Sequence, residues 1–172
     1  IADDGGLQPG PTIDVGAGCR LNDMTVDARG GLWAGSMHRG LLGGRGALFH
    51  ATAVDAPVRR VAEGLGVANG MVFSPAGDTL YVIDTLARTL LAYPADVAAG
   101  TLGDPKVVTD FLGAAGKPDG LALSPQGPPR VSMWGGACVL ELAANCAVQP
   151  RLAVSAPPVR PLRRAPAGPR PP

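Results

Sequence analysis

Residues 69–81 read Asn69-Gly70-Met71-Val72-Phe73-Ser74-Pro75-Ala76-Gly77-Asp78-Thr79-Leu80-Tyr81. A small oxygen-bearing side chain opens the stretch and a short apolar run follows. Ser-Pro-Ala-Gly-Asp then supplies turn chemistry before a second apolar run begins, so the pattern is strand, turn, strand. The same order recurs upstream as Asn22-Asp23-Met24-Thr25-Val26-Asp27-Ala28-Arg29-Gly30-Gly31-Leu32-Trp33 and downstream as Asp119-Gly120-Leu121-Ala122-Leu123-Ser124-Pro125-Gln126-Gly127. The three openings stand 47 and 50 residues apart. A period of about 40 to 50 residues, filled by four short strands, is that of a β-propeller blade.

Working outward, each repeat contains four candidate strands separated by Gly or Pro turns. The first gives residues 24–26, 32–37, 47–52 and 58–62. The second gives 71–74, 79–84, 89–93 and 106–111, and the third 121–124, 130–134, 138–142 and 151–154. The fold class is therefore all-β, a partial propeller of three four-stranded blades. A β-sandwich would accommodate the strands but gives no reason for the period. Closed propellers usually hold about four to eight blades, so three leave two flanks open. With Ile1 in first place, the chain reads as part of a longer propeller.

Composition agrees. The 172 residues include 25 Gly and 18 Pro, which disfavours a helical bundle, while Leu, Val, Ile and Phe number 41, enough to build a core. No apolar run approaches the roughly 18 to 20 residues needed to span a bilayer, which excludes a helical membrane protein. Cys19, Cys138 and Cys146 lack CxxC spacing and are odd in number, so they read as reduced thiols of a cytoplasmic protein. All the acidic residues precede position 142. Residues 151–172 carry five Arg and no acid, and from 156 onward the text is mostly Pro, Arg and Ala. The expected organisation is a partial propeller domain over 1–155 and a disordered Pro/Arg-rich tail over 156–172. With sparse arginines and no interleaved aromatics, the tail is expected to bind no nucleic acid.

In a propeller, the openings of successive innermost strands stand side by side around one end of the central channel. Asn22, Asn69 and Asp119 can thus converge on one ligand, and amide and carboxylate oxygens suit a hard divalent cation. The alternative is that Asn and Asp before Gly are ordinary turn formers. Ser36, Ser74 and Ser124 lack a G-x-S-x-G context, which argues against a serine hydrolase. His38 and His50 lack metal spacing and read as a loop and a strand residue. The Gly-rich stretch 40–46 has no following Lys-Ser/Thr and is not a phosphate cradle. Trp33, Tyr81 and Trp134 recur near the second strand of each repeat and are assigned to blade packing.

Several motifs stand in order: Arg20-Leu21-Asn22-Asp23, Asp27 with Gly30–Gly35 and Ser36-Met37, Asn69-Gly70 with Phe73-Ser74-Pro75, Tyr81 to Asp84-Thr85, and Pro118-Asp119-Gly120 with Trp134-Gly135-Gly136. Together they resemble the gluconolactonase and regucalcin (senescence marker protein) family. The resemblance covers about residues 18–142. It implies a six-bladed propeller, of which this chain holds about three blades, and a metal-dependent hydrolase acting on a small-molecule sugar lactone with one divalent ion (Ca²⁺, Zn²⁺, Mg²⁺ or Mn²⁺). It matches Asn69 and Asp119 to metal ligands, Asp119 also to the general base, and Arg20 and Asn22 to substrate-contacting positions. The family's further Glu ligand has no counterpart here, and its substrate-binding Glu after the Gly-Ser/Thr-Met segment is replaced by His38-Arg39-Gly40. The resemblance also leaves room for a non-catalytic metal-binding propeller of the regucalcin type or an inactive fragment, and it implies that these 172 residues alone turn lactones over poorly.

Overall fold

Each repeat folds as one antiparallel sheet in the computed structural model, which describes residues 10, 12–53, 55–124, 128–143, 148 and 152–153. The first blade is β1 (Cys19–Val26), β2 (Leu32–His38), β3 (Gly46–Ala51) and β4 (Arg59–Leu65), hydrogen-bonded in that order. The second is β5 (Ala68–Phe73), β6 (Thr79–Asp84), β7 (Thr89–Asp96), β8 (Thr101–Leu102) and β9 (Lys106–Asp110). The first half of β7 pairs with β9 and its last two residues with β8. The third is β10 (Lys117–Leu123), β11 (Pro129–Trp134), β12 (Cys138–Glu141) and β13 (Leu152–Ala153). The described residues contain no helix, so none is long and apolar enough to cross a membrane.

Strand β6 explains why the blades stack. Leu80 and Val82 point to one side, into a core with Trp33, Leu48, Met71 and Tyr93 from the first two blades. Ile83 points to the other, into a core with Leu90, Phe111, Val131, Met133 and Leu140 from the second and third, and Tyr81 packs against it. Period-2 alternation normally gives one apolar and one polar face. Here both faces are covered by neighbouring blades, so residues 80–83 read as a continuous apolar run. Leu80, Val82 and Ile83 are fully buried, worth about 1.5 to 3 kcal/mol each relative to exposure.

The turns follow the sequence signals. Ser74 N donates to Thr79 O at 2.8 Å and Gly77 N to Ser74 O at 2.9 Å, closing the Ser-Pro-Ala-Gly turn, with Gly77 at a φ of 76° that suits glycine.

Three details differ from the sequence reading. The innermost strands start three to five residues earlier than the apolar runs, because backbone pairing continues through the polar openings. The two-residue β8 has no hydrophobic pattern to announce it. Trp134, expected to pack within its blade, is 68% exposed, whereas Trp33 is buried at 1%. The expected tail over 156–172 lies outside the described residues.

Candidate active site

All three innermost strands break register at the same place. In β1 the pairing runs Leu21 with Ser36 and then Met24 with Ala34, so Asn22 and Asp23 together oppose Gly35. In β5 it runs Ala68 with Asp84 and then Met71 with Val82, leaving Asn69 and Gly70 opposite Ile83. In β10 it runs Pro118 with Met133 and then Leu121 with Val131, leaving Asp119 and Gly120 opposite Ser132. Each is a β-bulge, in which two residues oppose one and the extra side chain is turned out of the pleat. The candidate residues Asn22, Asn69 and Asp119 are the first residues of the three bulges. The sequence reading set them before the strands. The signal for the second and third bulges was an Asn-Gly or Asp-Gly interrupting an apolar strand pattern; the first, Asn22-Asp23, has no glycine to announce it.

The second and third bulges touch backbone to backbone. A Cβ added to Gly70 would lie 2.6 Å from Gly120 C and 2.7 Å from Asp119 O, closer than real Cβ contacts. Glycine at 70 therefore lets the two blades approach. One result is that the Asn69 and Asp119 side chains meet: Asn69 Nδ2 donates to Asp119 Oδ1 and, at 3.1 Å, to Thr85 Oγ1. Asn22 Nδ2 donates to Ala68 O at 3.1 Å, tying the first bulge to β5. Arg20 Nη1 donates to Leu21 O of its own strand at 2.8 Å, and its guanidinium makes no hydrogen bond to Asn22, Asn69 or Asp119. So Asn69 and Asp119 come together, Asn22 stands on the adjacent bulge, and Arg20 lies two residues before it. All four are half-buried.

Two oxygens of the central pair have no donor. Neither Asn69 Oδ1 nor Asp119 Oδ2 accepts a hydrogen bond from the described residues, and neither is an orphaned buried atom. A neutral amide oxygen and a carboxylate oxygen on touching side chains fit a hard divalent cation as two of its ligands. Among the described residues no group of three or more His, Cys, Asp or Glu is placed to hold a metal. Both donors of the pair are oxygen atoms, one neutral and one charged.

A different polar cluster anchors the other end of β1, roughly 15 Å along the strand from Asn22 at about 3.3 Å per residue. Asp27 Oδ2 accepts from Trp33 Nε1 at 2.8 Å, and Asp27 Oδ1 from Gly31 N at 2.9 Å and Arg29 N at 2.8 Å. Burial pushes the Asp27 carboxyl up, but those donors and the nearby His50 outweigh it and hold the group below the ordinary carboxylate value. His50 is buried in β3 with its Nε2 4.0 Å from Asp27 Oδ2, and among the described residues neither ring nitrogen has a hydrogen-bond partner. This cluster ties the turn after β1 to β2 and β3, and none of its hydrogen bonds reaches the bulges.

A family model described as the SMP-30/Gluconolactonase/LRE-like region matches residues 4–159. The chain is 32% identical over 126 residues to a pentonolactonase from Haloferax volcanii, a match covering 73% of this chain and 42% of that protein. It is 34% identical over 129 residues to a 6-deoxy-6-sulfogluconolactonase from Pseudomonas putida, covering 73% and 43%. Among solved structures it is similar to a calcium-binding protein, regucalcin, from Agrobacterium tumefaciens, with 29% identity, a TM-score of 0.72, and coverage of 80% of this chain and 46% of that one. The chain therefore spans less than half the length of these relatives.

Proposed function

The chain belongs to the SMP-30/gluconolactonase/LRE-like family, and from that premise we propose that its three bulges carry part of the active site of a divalent-cation-dependent hydrolase of sugar lactones. The observation that carries the reading is the contact between Asn69 and Asp119, each with one oxygen that accepts no hydrogen bond from the described residues. Asn69 Oδ1 and Asp119 would hold the cation. When bound, it supplies Lewis-acid polarisation of a lactone carbonyl and a lowered pKa for water.

The chain's own residues then divide the work. The water oxygen bonds to the lactone carbonyl carbon while Asp119 accepts the water's proton. The ring carbon–oxygen bond then breaks, and the same proton passes from Asp119 to the departing ring oxygen, leaving an open hydroxy acid. Asn22 Oδ1, which accepts no hydrogen bond from the described residues, can take one from a sugar hydroxyl. Arg20 spends one N–H on Leu21 O and keeps others to stabilise charge developing on the carbonyl oxygen. We also read residues 1–155 as the propeller portion and 156–172 as a tail apart from it.

Hydrolysis of gluconolactone and related aldonolactones by the 172-residue chain, with Ca²⁺, Mg²⁺, Mn²⁺, Zn²⁺ or chelator, tests the reading. The expected rate is low, because two side-chain ligands are fewer than such cations usually take, but it is stimulated by cation and lost in Asp119→Asn. Turnover equal in chelator would sink it. The likeness to a calcium-binding regucalcin structure supports one second reading, a propeller that binds cation without catalysis. Cation binding with no turnover of any aldonolactone would select that reading.

A further inference from the structure

Thr85 sits between the two halves of the central pair, and its hydroxyl has only one way to satisfy both neighbours. Thr85 Oγ1 donates its single hydrogen to Pro118 O at 2.8 Å, one residue before Asp119. It can therefore only accept from Asn69, so the 3.1 Å contact must be made by the amide nitrogen, Nδ2, and not by the amide oxygen. The second hydrogen of the same nitrogen goes to Asp119 Oδ1. With both N–H bonds committed to acceptors, Oδ1 is left as the amide's outward atom.

The neighbours of Thr85 are fixed in turn. The Asp84 carboxylate accepts from Gly66 N at 2.8 Å, Val67 N at 3.2 Å, Leu86 N at 3.1 Å and Ala87 N at 3.2 Å. Thr85 N donates to Val67 O at 3.1 Å. The hydroxyl is thus buried on a turn clamped from both sides, and it joins blades whose residues lie 33 positions apart. Neither of the other two described blades has this device. Thr85 lies two residues beyond the one opposite its bulge, Ile83, and the same offset in the other blades falls on Met37 and Trp134, which have no hydroxyl.

We propose that Thr85 is a positioning residue that fixes the Asn69 carboxamide with nitrogen toward the third blade and oxygen toward the ligand. The role rests on the cation-site reading for its purpose and on hydrogen-bond chemistry alone for its geometry. The two can fail separately.

The test uses the 172-residue chain and the variants Thr85→Val and Thr85→Ser. The Asn69 side-chain amide signals, assigned by their loss in Asn69→Asp, are followed without cation and then with Mn²⁺ alone. Wild type and Thr85→Ser are expected to show slow exchange of both amide protons. In Thr85→Val exchange should be about five- to tenfold faster, the worth of one hydrogen bond. Mn²⁺ affinity, read by paramagnetic broadening, should fall about tenfold or more in Thr85→Val and stay near wild type in Thr85→Ser, as for other groups that orient a metal ligand. Should Thr85→Val not fold, Thr85→Ala carries the same expectation. Fast exchange in wild type overturns the proposal. So does a Thr85→Val protein that melts lower but keeps wild-type exchange and Mn²⁺ affinity, which would give Thr85 a structural role only. If wild type binds no Mn²⁺ and hydrolyses no lactone, the cation reading fails while the exchange rates still decide the geometry.

Discussion

Asn69 and Asp119, fifty residues apart in the chain, are hydrogen-bonded to each other across the seam between the second and third blades. The contact requires two bulges at the same height on adjacent strands and a glycine where their backbones meet. It follows that the pair is sensitive to blade spacing as well as to its own chemistry.

Replacing Asp119 by Asn keeps the size and a hydrogen-bonding partner for Asn69 but removes the charge. Mn²⁺ binding is expected to weaken by at least about tenfold, and cation-stimulated lactone hydrolysis by about 10²-fold, since ligand and proposed base are lost together. Titration and initial rates on the same preparations check this. Unchanged rates would remove Asp119 from the chemistry.

Gly70→Ala tests the spacing. The atoms its Cβ would meet are backbone atoms of Asp119, Gly120 and Leu121, which cannot swing away, so the blades must part. A loss of about 1 to 3 kcal/mol in urea unfolding is expected, in the range for overpacked sites. The Asn69 amide protons should also exchange faster, as the contact with Asp119 lengthens. Wild-type stability in this variant would mean that the two bulges do not touch.

The repeats at 22, 69 and 119 were enough to predict three antiparallel four-stranded blades, because a strand–turn–strand unit leaves its mark locally, in apolar runs punctuated by Ser-Pro and Gly. The meeting of Asn69 with Asp119 was also expected, from the stacking of equivalent positions. What stayed hidden depends on contacts between blades. The bulges of the second and third blades meet where Gly70 leaves room for the backbone of the next blade, and the packing of one blade on another is not written in either strand's own pattern. Thr85 was visible as part of an Asp-Thr pair, but its hydroxyl acquires a purpose only beside Pro118 O. Trp134 follows its blade's pattern yet is exposed, since nothing among the described residues packs against that side of β11.

Trp33→Phe keeps a ring against His50 and Phe73, whose centroids lie 4.2 and 5.5 Å away. It removes the N–H that Asp27 Oδ2 accepts at 2.8 Å. A buried carboxylate oxygen losing its donor costs about 1 to 3 kcal/mol. Thermal unfolding at pH 7 should show that loss, with Mn²⁺ affinity unchanged because the cluster lies far from the bulges. A shift in affinity would show that the first blade transmits strain to the site.

Acid should unfold the chain in two stages, and His50 sets the first. Burial pushes this imidazole below the ordinary value of 6.5; Asp27 pulls it up, and Arg59 adds to the depression. As pH falls through about 6.5 the unfolded chain takes up a proton at His50 that the folded chain refuses, so stability declines from there down to the folded value. Asp27, held below its ordinary 3.8, adds a second decline that begins near that value and continues to its folded value. Both effects have the same sign, and neither gives any gain on acidification. His50→Phe removes the first decline. Its melting temperature should be flat between pH 7 and pH 5, where wild type falls, and below pH 4 its decline should be slightly shallower than that of wild type, because His50 is the smallest of the influences that hold Asp27 low. Equal slopes for the two proteins between pH 7 and pH 5 would show that His50 takes up a proton as readily in the folded chain as in the unfolded one.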